Sequence, residues 1–279
     1  AYCLASVKDG FDDKSPFTVS SEKEQIIRKS GILDYFPKNE SLKDVGGMEN
    51  LKEWLKKRQL AYDKEARDWG LKEPKGLLLL GVPGCGKSLI AKSIASSWNM
   101  PLLRLDVGKV FQGIVGSSED NIRKAIATAE AVAPCVLWID EIEKGLSGVQ
   151  SSGATDGGVT SRIFSTILTW MQEKTAPVFV VATANNINQL PPELLRKGRF
   201  DEIFFVDLPS QKEKENIFSI HLQKNRQNVS SFALDILAQK AEGFNGAEIE
   251  ECVKEAMFTA YVESQESNIA PKLQMIHIL

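Results

Sequence analysis

The stretch GVPGCGKS, residues 81–88, is the most informative part of this sequence. It fits the pattern GxxxxGK[ST] at every fixed position and directly follows the apolar run 76–80. A buried strand, a glycine-rich turn and a helix in that order direct backbone N–H groups and the helix N-terminus at one anion. In this pattern Lys87 reaches a polyphosphate and Ser88 holds Mg²⁺. The stretch therefore predicts a nucleotide-phosphate site, although a glycine-rich turn can match such a pattern by chance.

Length and composition indicate an ordinary globular protein. The 279 residues are 43% hydrophobic and 25% charged, which suits one large domain and a smaller one. The formal net charge is -3 and no run of five or more Lys and Arg occurs, so no nucleic-acid partner is expected. Four scattered cysteines favour a reducing compartment over a disulfide scaffold or a zinc site.

Membrane insertion and targeting are judged from the same composition. No apolar span of eighteen residues occurs, so we expect no membrane segment. The chain opens on Ala1 rather than Met, and we expect that the natural N-terminus and any targeting signal lie upstream.

Apolar runs alternate with helical stretches between residues 41 and 209. Runs rich in Leu, Val, Ile and Phe predict strands at 76–80, 102–107, 135–139, 179–183 and 202–208. Helices are predicted between them at 87–98, 117–131 and 160–171. Because strands that alternate with helices form a parallel sheet covered on both faces, residues 41–209 are predicted to be an α/β nucleotide-binding subdomain with a five-stranded parallel sheet.

The flanking segments differ in character. Residues 210–279 lack strand-like runs and predict a helical lid subdomain. Helical patterns recur there at 211–224, 231–241 and 246–262. Residues 1–40 are polar and mixed, so we expect a linker or leader with one short helix at 21–29. The Gly/Ser-rich segment 145–158 is expected to be a mobile loop.

Two adjacent carboxylates follow the buried strand in CVLWIDE, residues 135–141. Asp140 is a candidate Mg²⁺ anchor, and Glu141 is a candidate acceptor of a proton from an attacking water molecule. Taken alone, the pair is better explained by a strand that ends at a solvated acidic turn. Because GVPGCGKS precedes it and a strand at 102–107 intervenes, we interpret it as the mark of the P-loop NTPase branch that hydrolyses ATP with its own carboxylate, the ASCE branch.

Two further segments carry candidate site residues. VVATANN, residues 180–186, closes an apolar strand on amides, and Asn185 would lie beside Glu141 at the same sheet edge. An asparagine at a strand end is otherwise an ordinary turn former. LLRKGRFDEIFF, residues 194–205, contains Arg196 and Arg199, which would be unremarkable as solvated side chains in isolation.

The ordered set of motifs resembles the AAA family of AAA+ ATPases. It comprises DVGGMENLKEWL at 44–55, the Walker A and Walker B motifs already described, VVATANN, LLRKGRFDE, and GFNGAEIEECVKEA at 243–256. The resemblance covers about residues 41–263. Within the family, LKEWLKKRQ, LLRLDVGKVFQGIVGSSE and APVFVVATANN look most like the uncharacterised AAA proteins encoded in plastid genomes and in cyanobacteria.

The resemblance implies roles for individual positions. Asp44, Val45 and Gly46 match the backbone that lines the adenine pocket, and Gly246 and Ala247 match the lid motif. The phosphate loop corresponds to Pro83, Gly84, Cys85, Gly86, Lys87, Ser88 and Leu89. The catalytic positions correspond to Asp140 and Glu141 for Mg²⁺ and water, Asn185 for the sensor, and Arg196 and Arg199 for the arginine fingers.

The resemblance also implies ligands and partners. ATP and Mg²⁺ are the expected cofactors, and the expected assembly is a ring-type homo-oligomer, a hexamer by the habit of the family. Since arginine fingers from a neighbouring subunit contribute roughly 10³ to 10⁵ in turnover, an isolated subunit should be nearly inactive. The cytoplasm is the expected compartment, or the plastid stroma in a photosynthetic eukaryote.

Three positions depart from the family pattern. Members that thread polypeptide have an aromatic residue where this chain has Ile114; Phe111 lies three residues earlier and is better explained as a core contact. Cys85 replaces a common threonine. A thiol beside Lys87 and a helix N-terminus could have a lowered pKa and be oxidisable, but a small residue is all the turn requires, and this simpler explanation is favoured over redox control. Pro271 ends any helix there, so the lid is expected to be truncated or divergent at its C-terminus.

These features favour an ATPase that remodels an unknown protein client. The alternative is a slow-cycling, nucleotide-dependent adaptor or scaffold, which Ile114 and the irregular C-terminus would suit. A third hypothesis, a DNA-associated loader, is disfavoured by the negative net charge of the chain.

Overall fold

A six-stranded sheet organises the α/β part of the protein. The computed structural model describes residues 23–28, 31–37, 40–107, 110, 117–144, 156–267 and 270–279. Its strands are β1 (Leu33–Phe36), β2 (Gly76–Gly81), β3 (Leu102–Leu105), β4 (Cys135–Ile139), β5 (Val178–Ala184) and β6 (Glu202–Val206). They lie in the order β1-β3-β4-β5-β2-β6. All neighbours pair in parallel except β1, which pairs antiparallel with β3.

Helices flank the sheet and continue beyond it. In the α/β part they are α1 (Glu49–Gln59), α2 (Lys64–Asp68), α3 (Lys87–Ser97), α4 (Ser117–Ala131) and α5 (Asp156–Glu173). The C-terminal part contains α6 (Gln211–Lys224), α7 (Leu234–Lys240), α8 (Gly246–Ser267) and α9 (Met275–Ile278). Residues 23–28 are also helical. No helix of the described ranges is long and apolar enough to cross a membrane.

Alternate residues of the central strands pack on opposite faces of the sheet. On β2, Leu77 and Leu79 belong to the cluster formed with α1 and α3, whereas Leu78 and Leu80 belong to the cluster formed with α4 and α5. Every residue of β2, β4 and β5 is buried. This burial explains why these strands are continuous apolar runs rather than alternating ones.

The predicted fold class is confirmed, with a correction to the sheet. The five predicted strands are present to within two residues at each end, but β1 is a sixth strand and makes the sheet mixed rather than wholly parallel. β1 was missed because it has four residues, LDYF, of which only Leu33 is fully buried. It therefore lacks both the length and the continuous apolar character that identified the others.

Two other predictions are limited by what the structure describes. Most of the expected mobile loop, residues 145–155, lies outside the described residues, but α5 begins at Asp156 rather than at Thr160 as predicted. Ile114 and Phe111 also lie outside the described residues.

The C-terminal helices have a hydrophobic core of their own. Phe218, Leu222, Ile249 and Val253 contribute to it and are at most 1% exposed. The chain leaves helical structure before Pro271, as expected, but it then returns as α9, and Ile278 packs into the same core. The C-terminal segment therefore completes the core of this part.

Candidate functional site

A cleft with a volume of about 1230 Å³ lies where β2, β4 and β5 end, and both the α/β part and the C-terminal helices line it. The structure brings most of the predicted site residues together here. They are Asp44, Val45, Gly46, Pro83, Gly84, Cys85, Gly86, Lys87, Ser88, Leu89, Asp140, Glu141, Asn185, Gly246 and Ala247. Ligands of parallel α/β sheets commonly bind at this edge.

The phosphate loop joins the end of β2 to the start of α3. Gly81 has φ +147°, and a Cβ atom there would lie 1.9 Å from the carbonyl oxygen of Val206 on the neighbouring strand β6. Only glycine therefore allows the loop to leave the sheet at this point. Gly86, at φ +87°, is the N-cap of α3, so the loop ends at the positive end of that helix dipole.

Lys87 is the first residue of α3 and is buried. Its Nζ donates hydrogen bonds to the carbonyl oxygens of Gly81 and Val82, both at 2.7 Å. Burial lowers the pKa of Lys87, and the charges of nearby acidic groups, including Asp140 and Glu141, act against that shift. The ammonium group is thus held inside the loop with the carboxylates nearby.

Thr183, on β5, connects the two carboxylates that follow β4. Its Oγ1 donates a hydrogen bond to Asp140 Oδ1 at 2.7 Å and accepts one from the backbone N–H of Glu141 at 2.9 Å. Thr183 is 1% exposed. The adjacent buried strands therefore fix Asp140 and the backbone of Glu141 relative to each other.

Glu141 is held by contacts on both sides. Asn185 Nδ2 donates a hydrogen bond to Glu141 Oε1 at 3.2 Å, and Lys144 forms an ion pair with the same carboxylate. The backbone of Glu141 is left-handed, with φ +48°, an uncommon conformation for a non-glycine residue that occurs at strained functional turns. Asn185 is itself anchored, because its backbone N–H donates to the buried Glu143 at 3.0 Å.

The donor set of the cleft suits Mg²⁺. Ser88 and Asp140 offer one hydroxyl and one carboxylate in the same cleft. Within the described ranges no group of three or more His, Cys, Asp or Glu could hold a metal ion by itself. Mg²⁺ suits such a sparse oxygen set, since it retains water molecules and commonly shares one or two protein ligands with substrate phosphates.

The α/β part and the C-terminal helices contact each other along the cleft, both at the phosphate loop and at the end opposite it. Ala247 N donates a hydrogen bond to the carbonyl oxygen of Gly84 in the phosphate loop at 3.1 Å. Met48 N donates to Glu213 Oε1 at 3.1 Å, and Lys224 lies 3.4 Å from Asp44 in an ion pair. Both Glu213 and Lys224 belong to α6, so this helix holds the segment that precedes α1.

Arg196 and Arg199 do not line the cleft of their own chain. Arg196 is exposed. Arg199 is half-buried and donates from its guanidinium group to the carbonyl oxygen of Glu193. The two arginines are therefore separated from the other predicted site residues within one subunit.

The thiol of Cys85 behaves differently from the expectation of a lowered pKa. It is 6% exposed and packs in the hydrophobic cluster beneath the loop. Burial raises the pKa of Cys85, and the charge of Lys87 offsets this only in part. A protonated, buried thiol is a poor nucleophile, so the environment disfavours the redox-control alternative for Cys85.

Three site residues were missed in the sequence. Thr183 and Glu143 are buried polar residues that bond to predicted site residues, and Glu213 bridges the two parts of the chain. The threonine in VATANN carried a signal, because a polar residue inside an apolar strand needs a partner. Glu143, the third acid in WIDEIE, lies in the turn after β4. The S-x-x-E spacing of Ser210 and Glu213 marks the start of α6, but it does not indicate the contact with Met48, which is 165 residues away.

Residues 77–208 match the family described as "ATPase family associated with various cellular activities (AAA)". The chain carries an AAA domain. The resemblance found in the sequence is thereby confirmed, and an AAA domain accounts for the P-loop architecture and the nucleotide-binding motifs.

Relatives of the AAA domain extend the match to most of the chain. The chain is 52% identical over 249 residues to "Uncharacterized AAA domain-containing protein ycf46" of Guillardia theta, covering 89% of the chain and 49% of that protein. The protein of that name from Pyropia yezoensis is 50% identical over 259 residues, 91% of the chain and 52% of the relative. A "Cell division cycle protein 48 homolog" of Archaeoglobus fulgidus is 34% identical over 230 residues, 81% of the chain and 31% of the relative. The chain spans about half the length of the ycf46 relatives.

Proposed function

We propose that the protein hydrolyses ATP to ADP and phosphate. The observation that carries the proposal is the convergence of Lys87, Ser88, Asp140, Glu141 and Asn185 on one cleft at the end of the parallel strands. The hydrogen bonds through Thr183 support it, because they fix the carboxylate of Asp140 relative to the backbone of Glu141. The match of residues 77–208 to an ATPase family also supports it.

In the proposed reaction, water attacks the γ-phosphorus in line with the leaving oxygen. Glu141 orients this water and accepts its proton, while Asn185 holds Glu141 through the hydrogen bond described above. Lys87 offsets the negative charge that develops on the phosphate oxygens. For this to occur, Lys87 exchanges its bonds to the loop carbonyls for bonds to phosphate oxygens.

Mg²⁺ would be held by Ser88 and Asp140. When bound, it neutralises charge on the β- and γ-phosphate oxygens. Thr183 would then be an outer-shell partner of the ion, because its hydroxyl donates a hydrogen bond to Asp140 Oδ1.

The active site is proposed to be shared between subunits of a ring-type homo-oligomer, a hexamer by analogy with the family. Support comes from the position of Arg196 and Arg199 outside the cleft of their own chain. A neighbour's arginines would complete the site and stabilise the charge of the transition state. The client is proposed to be a protein, and the slow-cycling adaptor is the competing function.

The proposed compartment is the cytoplasm, or the plastid stroma if the source is a photosynthetic eukaryote. The resemblance to AAA proteins encoded in plastid genomes supports the second choice. Localisation of the tagged full-length protein by microscopy distinguishes the two.

Replacement of Glu141 by Gln tests the hydrolysis proposal. The variant should bind ATP as the unmodified protein does, because the amide keeps the shape of the side chain. Turnover should fall by about 10² to 10⁴, the usual contribution of a general base. Glu242→Gln, an exposed position outside the cleft, is a matched control. Absence of ATP turnover by the unmodified protein at every concentration that permits assembly would refute the proposal.

A mixing experiment tests whether the site is shared. Glu141→Gln subunits and subunits with both Arg196→Ala and Arg199→Ala should each be nearly inactive alone. Mixed together, they should regain part of the activity, because some interfaces then combine an intact Glu141 with intact arginines. If mixing restores nothing although the subunits co-assemble, the arginines do not act across the interface.

A substitution at Ile114 distinguishes the remodelling function from the adaptor function. A charged residue there should abolish activity on a partner while ATP turnover remains, if the partner is threaded through the ring. Unchanged activity on the partner would favour an adaptor surface elsewhere.

A further inference from the structure

Glu213 is a single carboxylate that joins three parts of the molecule. Its Oε1 accepts a hydrogen bond from Met48 N at 3.1 Å. Its Oε2 accepts hydrogen bonds from Ser210 N at 2.9 Å and from Ser210 Oγ at 2.8 Å. One oxygen therefore holds the segment 44–48, and the other holds the turn that leads from β6 into α6.

The fit between α6 and this segment is close and depends on glycine. A Cβ atom at Gly47 would lie 2.2 Å from Glu213 Oε1, and one at Gly46 would lie 2.5 Å from Ile217 Cγ1. Gly47 has φ +71° and Met48 has φ +58°, so two successive residues are left-handed where the chain meets Glu213. The backbone is thus bent into contact with α6 before α1 begins.

Charge supports the same arrangement. Burial raises the pKa of Glu213, but the hydrogen bonds from Ser210 and Met48 and the charge of Lys52 outweigh it, so its pKa lies below the ordinary value. The side chain is therefore ionised at neutral pH, and its hydrogen bonds are charge-assisted. The ion pair between Asp44 and Lys224 forms a second link between the segment and α6.

These contacts lie at the cleft. Gly46, Gly47, Met48, Glu213 and Ile217 all line it, and none of them belongs to the phosphate loop. The segment is hydrogen-bonded to α6 through Glu213, whereas the phosphate loop is continuous with β2 and α3 and meets α8 at the hydrogen bond from Ala247 N to Gly84 O.

We propose that Glu213 is a positioning residue that makes the segment 44–48 move with the C-terminal helices as they close over a nucleotide. The proposal rests on the proposed function, because it assigns this wall of the cleft to a bound ATP. It predicts that Glu213 contributes to nucleotide affinity while the rate of the chemical step depends on the other end of the cleft.

The first test is the affinity of Glu213→Ala for a fluorescent, non-hydrolysable ATP analogue. Binding should weaken by about ten-fold, the effect expected for loss of a charge-assisted hydrogen bond that is partly exposed. KM for ATP should rise similarly, with kcat changed less than two-fold. Glu213→Gln should recover part of the affinity, because its amide oxygen still accepts from Met48 N. Glu215→Ala is the matched control, because Glu215 lies two residues further along α6 and does not line the cleft.

Hydrogen exchange supplies a readout that mere destabilisation would not reproduce. In the unmodified protein, the ATP analogue should protect residues 45–48 and the turn 207–210 together with the phosphate loop. At saturating analogue, Glu213→Ala should keep protection of residues 82–88 and lose it at 45–48. Equal protection of both segments in the variant would overturn the proposal.

A double-mutant cycle tests the direct contact. Gly47→Ala places a methyl group against the Glu213 carboxylate, and Glu213→Ala removes the carboxylate. The fold-loss of affinity in the double variant should be smaller than the product of the two single fold-losses, because the methyl group no longer collides with a carboxylate once Glu213 is removed. Multiplicative losses would show that the two residues act separately and would overturn the proposal.

The outcomes separate the two proposals. An unmodified protein that fails to bind the analogue contradicts the proposed function itself. An unmodified protein that binds, with Glu213→Ala binding equally well, contradicts only the role of Glu213.

Discussion

The two ends of the cleft are built in different ways. At the phosphate end, Thr183 lies on β5, Asp140 directly follows β4 and Lys87 begins the helix that follows β2, and all three strands are buried throughout. At the other end, the contacts run between distant parts of the chain, such as Met48 to Glu213 and Asp44 to Lys224. The sheet fixes the residues of the first end, whereas the geometry of the second end depends on the position of the C-terminal helices.

Core size strengthens the contrast. Two large clusters cover the two faces of the sheet, while the C-terminal helices share one smaller cluster. Regions with fewer buried apolar contacts open locally at lower free energy than the core of the molecule. The phosphate end should therefore stay formed under conditions that open the other end.

The largest expected effect follows from Phe218→Ala. Phe218 is 1% exposed and belongs to the C-terminal cluster. Its truncation should destabilise those helices by about 3–5 kcal/mol, the usual cost for a buried phenylalanine. Hydrogen exchange should accelerate in α6 and α8 while β4 and β5 stay protected.

The control for this prediction is Phe258→Ala on α8, because Phe258 is 67% exposed. It should leave exchange nearly unchanged. If Phe218→Ala accelerates exchange in the sheet as much as in α6 and α8, the two regions form one cooperative unit and the contrast is wrong.

The next effect concerns the phosphate end and Thr183→Val. Valine keeps the shape but removes the hydroxyl that donates to Asp140 and accepts from Glu141 N. ATP turnover should fall by about 10- to 100-fold, as for other outer-shell partners of metal ligands. Steady-state kinetics should show the loss in kcat, and Thr183→Ser should restore most of it. A Thr183→Val enzyme with normal kcat would mean that the strands alone fix the carboxylates.

The smallest expected effect is a pH dependence of the stability of the C-terminal helices. Burial lowers the pKa of His221 below its ordinary 6.5, and Lys224 and Lys254 add to this while Glu250 opposes it. As pH falls below about 6.5, the unfolded chain takes up this proton before the folded one, so the free energy of unfolding decreases. Between pH 7.5 and 5.5 the Tm of the C-terminal helices should drop by about 1–3 °C.

The pH effect has a simple comparison. His221→Asn should remove the part of the decrease in unfolding free energy that His221 causes, whereas His277→Asn should leave that part unchanged. His277 is the other histidine of the chain and lies on α9. An unchanged pH profile in His221→Asn would show that His221 does not titrate differently on folding.

The sequence predicted the phosphate end better than the other end, for a physical reason. GVPGCGKS, the Asp140–Glu141 pair and Asn185 each follow an apolar run, so a local pattern revealed both the strand and the residue at its tip. Their partner Thr183 lay within one of those runs and was taken as part of the strand. The contact between Met48 and Glu213 joins positions 165 residues apart, and no local pattern encodes it.

Strand β1 was missed for a related reason, since pairing with β3 rather than its own composition makes it a strand. Antiparallel pairing aligns Leu33 with Leu105 and Phe36 with Leu102, so all four residues of β3 have a partner on this side. A chain started at residue 41 would leave the backbone groups of β3 open along a sheet edge. Open edges of this kind recruit strands from other molecules. Residues 33–36 therefore keep the edge of β3 paired and form the outer strand of the sheet themselves, so an expression fragment that begins after them should be prone to non-native strand pairing between molecules through β3.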